Sequence, residues 1–263
     1  LEDSFLKYAG PKAADRKEET AYHLKGTPEK DGFLHVTTGM IPAQDLLKKA
    51  HEYGVSLTAF LTAVLIRSLL TLQDSHVKKH KQKPVKVLVP VNLRNLFEST
   101  SLRNFALYTT PGVDPKLGDY TLEEIVKAVH HHMGLDVTPK RMAAKIATNV
   151  NSEKSLLIKM IPLFVKNGVM KMVFNMVGEC KSCLSLSNLG NVDLPEEMKP
   201  YVKRFDFVLG VQATAPYNCG VVSYDGKVYI NIIRNTKEPF LERQFFTDLL
   251  KLGLSVEVES NGR

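Results

Sequence analysis

Apolar residues recur along this chain at two spacings, and the places where one spacing replaces the other divide it into elements. FLHVTTG (Phe33 to Gly39) reads as a strand, and a helical pattern follows from Pro42 to Tyr53 with Gly54 placed to close it. Ser56 stands as the N-cap of a second helix, Leu57 to about Leu72, which is apolar on most faces and so belongs inside the domain. VKVLVPVNLR (Val85 to Arg94) and NFALYTT (Asn104 to Thr110) are strand-type runs flanking a polar loop. A long helical stretch starts at Thr121 ahead of Glu124, starts again at Thr138-Pro139, and continues to Met176, with Pro162 and Gly168 set to divide it. Strands return at CLSLSN (Cys183 to Asn188), at FDFVLGVQA (Phe205 to Ala213), and at CGVVSY and KVYINII, the last two joined by the hairpin pair Asp225-Gly226. An amphipathic helix from about Pro239 to Leu252 and a short strand, SVEVES, close the pattern.

Helices and strands mix here without regular βαβ alternation and without an internal repeat. This predicts an α+β fold, a two-layer sandwich with an antiparallel or mixed sheet and helices against one face. Gly10 to Asp31 are rich in charge, Gly and Pro and poor in periodicity, so residues 1–31 are expected to be a linker or crossing segment ahead of one domain over 32–263.

Composition narrows the picture. At 263 residues and 44% hydrophobic content the chain can bury a sizeable core. Three cysteines make no disulfide framework and suit a reducing compartment, so the expected location is the cytoplasm. The charge of +7 is concentrated in Lys78, Lys79, Lys81 and Lys83 with His76 and His80, a segment without interleaved aromatics that reads as a solvated loop and not as a nucleic-acid site. Leu57 to Leu72 is interrupted by Arg67 and reads as a buried helix, so no membrane partner is expected. The opening LEDSFLKYAG has neither an initiating Met nor a signal pattern, which suggests the middle of a longer protein.

Four segments carry a resemblance: GVSLTAFLTAVLIRSL (Gly54 to Leu69), VPVNLRNLF (Val89 to Phe97) with Asn104 after it, SLSNLGNVDLP (Ser185 to Pro195), and the closing YINIIRN to FF pattern. In this order the chain resembles the CoA-dependent acyltransferase superfamily of chloramphenicol acetyltransferase, the plant BAHD enzymes and peptide-synthetase condensation domains, and within it the bacterial alcohol acetyltransferases. In those families the segments fill the C-terminal half. The resemblance therefore implies a chloramphenicol acetyltransferase-like sandwich and an N-terminal half, expected upstream and absent here, that holds the catalytic HHxxxDG motif.

The same resemblance implies roles for particular residues. The second His of that motif removes a proton from an alcohol or amine as it attacks an acyl thioester. The motif's Asp pairs with an arginine, for which Arg94 is the candidate here, with Asn92 and Asn104 supporting it. Ser187, Asn188 and Gly190, small polar residues at a strand end, would line the central tunnel, and no catalytic residue is assigned to this chain. Acyl-CoA is the implied co-substrate, and the implied partners are the missing N-terminal half and acyl-CoA or an acyl-carrier protein. A condensation-type module fed by a carrier thioester and a non-catalytic scaffold of the same fold remain the alternatives.

Two motifs are set aside. His131-His132-Met133-Gly134-Leu135-Asp136 approximates HHxxxDG, but Val137 replaces the Gly and the histidines continue a helical run, whereas the motif needs a tight loop. Cys180-Lys181-Ser182-Cys183 has the spacing of a redox or metal pair, yet two ligands without a second pair do not make a zinc site. Asp206 and Tyr217-Asn218 could face a cleft, with no role that the sequence assigns.

Overall fold

A computed structural model describes residues 19–154, 181–212 and 215–262, together with residue 7 and residues 167–168. Its strands are β1 (His35–Pro42), β2 (Val85–Asn92), β3 (Ala106–Thr109), β4 (Gly112–Val113), β5 (Leu184–Asn191), β6 (Tyr217–Tyr224), β7 (Lys227–Arg234) and β8 (Glu257–Ser260). They form one sheet in the order β3-β2-β5-β6-β7-β1-β8, with β4 also paired to β2. The pairs β2–β5 and β5–β6 are parallel and the others antiparallel, so the sheet is mixed and the fold is α+β. The helices are α1 (Ala43–Glu52), α2 (Leu57–His76), α3 (Arg94–Phe97), α4 (Leu122–Asp136), α5 (Pro139–Lys154) and α6 (Phe240–Lys251).

Local chemistry sets most of these boundaries. Ser56 Oγ accepts a hydrogen bond from the Ala59 amide at 3.3 Å and starts α2. Thr121 and Glu124 form a reciprocal capping box at the start of α4. Asp225 and Gly226, with φ of 48° and 73°, make the left-handed two-residue turn that matches the twist of β6 and β7.

Helix α2 runs to His76, past the expected end at Leu72, and its 20 residues are long and apolar enough to cross a membrane. Its surroundings account for that composition. Every residue from Ala59 to Ile66 is buried, and β2, α1, α4 and α6 pack around the helix. Its interior hydroxyls are satisfied locally or across the core: Ser68 Oγ donates to Asp248 Oδ2 of α6 at 2.8 Å.

The two faces of the sheet are closed differently. Val85, Val87 and Val89 of β2, Leu184 and Leu186 of β5, and Val228, Ile230 and Ile232 of β7 face the helices and form the main core. Val91 continues that row into a satellite core with Leu93, Phe105, Leu107, and Met142 and Ile146 of α5. On the outer face Val222, Tyr224 and Tyr229 are covered by Phe205, Phe207, Val202 and Leu194.

Phe205 to Gln212 is therefore not the strand expected from its alternation. It is extended, and its exposure alternates as in a strand, but it lies across the outer face as a strap outside the ladder. The strap comes close enough that a Cβ on Gly220 would collide with the Phe207 carbonyl. Two of its backbone groups, the Gly210 carbonyl and the Phe207 N–H, are satisfied by side chains of the sheet below, Asn218 and Asn231.

Residues 19–31 are extended and add to the core through Ala21, Tyr22 and Leu24, three apolar positions among charged neighbours. The Tyr22 amide donates to the Pro84 carbonyl at 2.9 Å and the Glu29 amide to the Asn235 carbonyl at 2.8 Å. The division of the long helix at Pro162 lies outside the described residues.

Gly220→Ala is expected to lift the strap and lower unfolding stability by about 1–3 kcal/mol, read from urea denaturation. A loss below about 0.5 kcal/mol would mean that the strap is not held against the sheet at this point.

Candidate functional site

β2 and β5 pair only at Val87/Leu184 and Leu88/Ser185. Beyond that rung β2 continues alongside β3, with Val89 to Asn92 opposite Thr109 to Ala106, while β5 continues alongside β6. The two parallel strands thus part and leave an opening at their C-terminal ends. Position-two alternation sends Leu88, Pro90 and Asn92 to the outer face from β2, Ser185 and Ser187 from β5, and Tyr108 from β3. Pro90 and Asn92 are exposed and Leu88, Ser185 and Ser187 half-buried, and Tyr108 is 43% exposed. No described segment covers this part of the sheet, although the strap closes the neighbouring part. Exposed Leu189 and Val208 stand at its margin.

The residues singled out from sequence fall on the two lips of the opening. Asn92 ends β2. Arg94 lies not at a strand end but in the first turn of α3, because the chain bends at the fully buried Leu93. Asn92 Oδ1 accepts from the Arg94 amide at 3.1 Å and from its Nη1 at 3.4 Å. Arg94 Nε donates to the Ser101 carbonyl at 2.8 Å and Nη2 to the Arg103 carbonyl, so the guanidinium clamps the loop that leads to β3. Three of its five N–H donors are used in this way. Asn104 lies at the end of that loop, exposed, beside the buried Phe105.

On the other lip Ser187 pairs with Gly220. Asn188 turns to the helical side, where its Nδ2 donates to Thr58 Oγ1 at the start of α2 at 3.1 Å. Its Oδ1 accepts from the Gly190 amide at 2.9 Å, and Gly190 adopts φ of 83°, which bulges β5 away from β6 and projects Leu189 outward.

Four residues that shape the site carried no assignment from sequence. Asn218 is 3% exposed; its Oδ1 accepts from the Ser185 amide at 2.9 Å and its Nδ2 donates to the Gly210 carbonyl, tying β5 and the strap to β6. Asn231 is fully buried and holds the strap. Its amide oxygen takes the Phe207 N–H at 3.0 Å while its nitrogen donates to Thr38 Oγ1 at 2.6 Å and Asp206 Oδ1 at 3.2 Å, since the reverse orientation would set donor against donor. Thr58 and Ser185 complete the lip. An asparagine inside an apolar strand run is unfavourable without a partner, and that was the trace available in the sequence.

The motifs set aside are located as follows. His131 and His132 lie on the exposed side of α4, which continues unbroken through Gly134 to Asp136. Asp136 is buried and bonded to Lys145 Nζ at 2.6 Å. Burial pushes its carboxyl up, but the hydrogen bond and charge of Lys145 prevail and hold it below the ordinary carboxylate range. Cys183 is buried, its thiol pushed up to about 12 by burial, and Cys180 lies outside the described residues. Asp206 pairs with Arg204 at 2.9 Å on the strap.

No family model and no curated protein sequence matches the chain. Solved structures do. The trichothecene 15-O-acetyltransferase TRI3 from Fusarium sporotrichioides aligns with TM-score 0.57 at 12% identity over 87% of this chain and 48% of its own. F. sporotrichioides TRI101, solved with coenzyme A and T-2, aligns with TM-score 0.57 at 12% identity over 94% and 56%. The epimerization domain from the third module of tyrocidine synthetase B aligns with TM-score 0.53 at 12% identity over 94% and 53%. The fold is thus the chloramphenicol acetyltransferase-like fold of condensation domains and CoA-dependent acyltransferases. The chain spans about half the length of these structures.

Two outcomes follow from this geometry. Arg94→Ala is expected to release the 99–103 loop and cost the chain itself about 1–2 kcal/mol in urea denaturation, with Arg94→Lys recovering only part because an ammonium cannot reach both carbonyls. Full recovery by Lys would contradict the clamp. For Asp136, whose folded-state pKa is depressed, the stabilisation is present above the ordinary carboxylate range and is lost as pH falls through the folded-state value. Asp136→Asn should accordingly cost about 1 kcal/mol at neutral pH, and the difference from wild type should shrink and vanish as the pH falls through the folded-state value, below the ordinary carboxylate range. A difference that persists at the lowest pH would assign the effect to packing.

Proposed function

We propose that this chain is the C-terminal half of an acyltransferase and forms one wall of a tunnel in which an acyl thioester meets an alcohol or amine. One observation carries the reading: the chain spans about half the length of its structural neighbours, and the part of the sheet lined by Pro90, Ser185, Ser187 and Tyr108 has no cover among the described residues. A second half closing over β2 and β5 would bury Leu189 and Val208, exclude water, and turn the opening between the strands into a tunnel.

In this reading the residues here bind and orient. The Ser187 hydroxyl presents a small donor to the acyl carbonyl oxygen, where negative charge develops as the acceptor attacks, and Gly190, its amide held by Asn188, lets the backbone bulge aside at this lip. The acceptor's proton goes to a base on the other half, since the histidines of this chain that approximate the motif lie on the exposed side of α4, away from the opening. The thiol leaves, and the product is an ester or an amide. Arg94 keeps two N–H donors beyond its clamp for a carboxylate of the missing half. The donor is acyl-CoA, a choice favoured by the neighbour solved with coenzyme A; a carrier-protein thioester would use the same chemistry.

The test follows thiol release from acetyl-CoA with simple alcohols. The 263-residue chain alone is expected to show no release above a heat-denatured control, and the chain extended by the segment encoded before it should restore turnover. Release by the chain alone that disappears in His132→Ala would instead make the helical pair catalytic and overturn this reading.

A further inference from the structure

We propose that the end of the molecule opposite the tunnel wall docks on an anionic lipid bilayer. Thr58, at the start of α2, touches Asn188 on the lip of the opening, and α2 then runs about 30 Å to its other end at His76. Strand β2 runs back from Val85 to Asn92. The loop between them, residues 77–84, therefore lies at the far end of the sheet from the opening.

This loop is held firmly. Gln73 of α2 grips Lys83 at two points: Nε2 donates to its carbonyl at 3.0 Å and Oε1 accepts from its amide at 2.9 Å. Gln82 is 3% exposed and donates to Asp74 Oδ1 at 2.5 Å. With the backbone fixed by two buried glutamines, Lys78, Lys79, His80, Lys81 and Lys83 all point into solvent. A second loop stands beside it, joined by the Lys79–Asp119 ion pair at 2.8 Å. That loop is a single turn, Pro115–Leu117, with Asp114 Oδ1 accepting from the Lys116 amide at 3.0 Å. Lys116 is exposed, and Leu117 at its tip is 81% exposed. Among the described residues Lys78, Lys81, Lys83 and Lys116 have no ion-pair partner.

Preformed cations around one projecting leucine fit a headgroup layer. Each lysine near such a surface is drawn by its negative potential, and one apolar side chain can enter the acyl boundary without a complementary pocket. An acidic protein partner would instead want a contiguous apolar centre, which a lone leucine among lysines does not offer. The one Tyr beside these loops, Tyr120, is half-buried with its hydroxyl donating to the Asp114 carbonyl at 3.2 Å, so the loops present no exposed Phe, Tyr or Trp for stacking bases. The absence of a membrane partner expected from sequence rested on spanning segments, and a peripheral contact needs none.

The test is co-sedimentation of the 263-residue chain with vesicles of phosphatidylcholine alone or with about 30% phosphatidylserine, at about 0.1 M salt. Binding to the anionic vesicles only is expected. It should fall about tenfold or more in Lys78→Ala/Lys81→Ala/Lys83→Ala and about threefold in Leu117→Ala. Both variants change exposed side chains only, and unaltered thermal midpoints verify that they fold. Failure to bind anionic vesicles, equal binding to neutral ones, or undiminished binding by the triple variant overturns the proposal. If the patch serves an acidic protein, the first of these results is obtained.

Discussion

A helix that is apolar on most sides cannot sit on a surface, and most of this architecture follows from hiding α2. Ala59 to Ile66 are buried without interruption, so the sheet must cover one side while α1, α4 and α6 cover the rest. At about 25 cal/mol per Å², burying these side chains contributes strongly to folding. It gathers the helices on one face of the sheet. The few polar groups drawn in with them, such as Ser68 and Asp248, satisfy one another at 2.8 Å.

The consequence appears on the opposite face. With the helices committed to one side, the other is covered among the described residues only by the strap from Phe205 to Gln212, which lies over β6 and β7. It is fastened by single side chains, because a segment lying across a sheet cannot join the ladder beneath it. Asn218 and Asn231 supply the missing partners from within otherwise apolar strands, and Gly220 supplies the clearance. The region past the strap, where β2 and β5 part after two rungs, is left uncovered among the described residues.

The same geometry separates the two ends of the molecule. Small polar groups, a bulge at Gly190 and the Arg94 clamp gather where the strands diverge. Lysines held by Gln73 and Gln82 gather where α2 hands over to β2. Contact at the basic end would leave the opening between β2 and β5 unobstructed, because the length of α2 lies between them.

Where local chemistry decides the outcome, the sequence was sufficient: Ser56 and the Thr121–Glu124 box start helices, Asp225-Gly226 turns a hairpin, and an all-apolar run is a core helix. Each of these depends on groups only a few residues apart. The resemblance in SLSNLG and VPVNLR led to the right fold, because spacing along strands and helices records which faces are covered. Other features depended on groups far apart in the chain. Period-two alternation at Phe205 to Gly210 specifies an extended backbone, but whether its N–H groups meet a strand or the amide of Asn231 is settled only when β7 arrives beneath it. Tyr22 and Leu24 read as linker because the core they enter is built by residues that follow them. Arg94 read as a strand-end charge awaiting a carboxylate, yet the carbonyls of Ser101 and Arg103 are brought to it by a loop whose course no periodicity encodes. Sequence by itself determined the elements and their buried faces. Tertiary structure alone decided which polar groups meet across the sheet and which part of it the described residues leave uncovered, because those pairings join residues that only folding brings within hydrogen-bond distance.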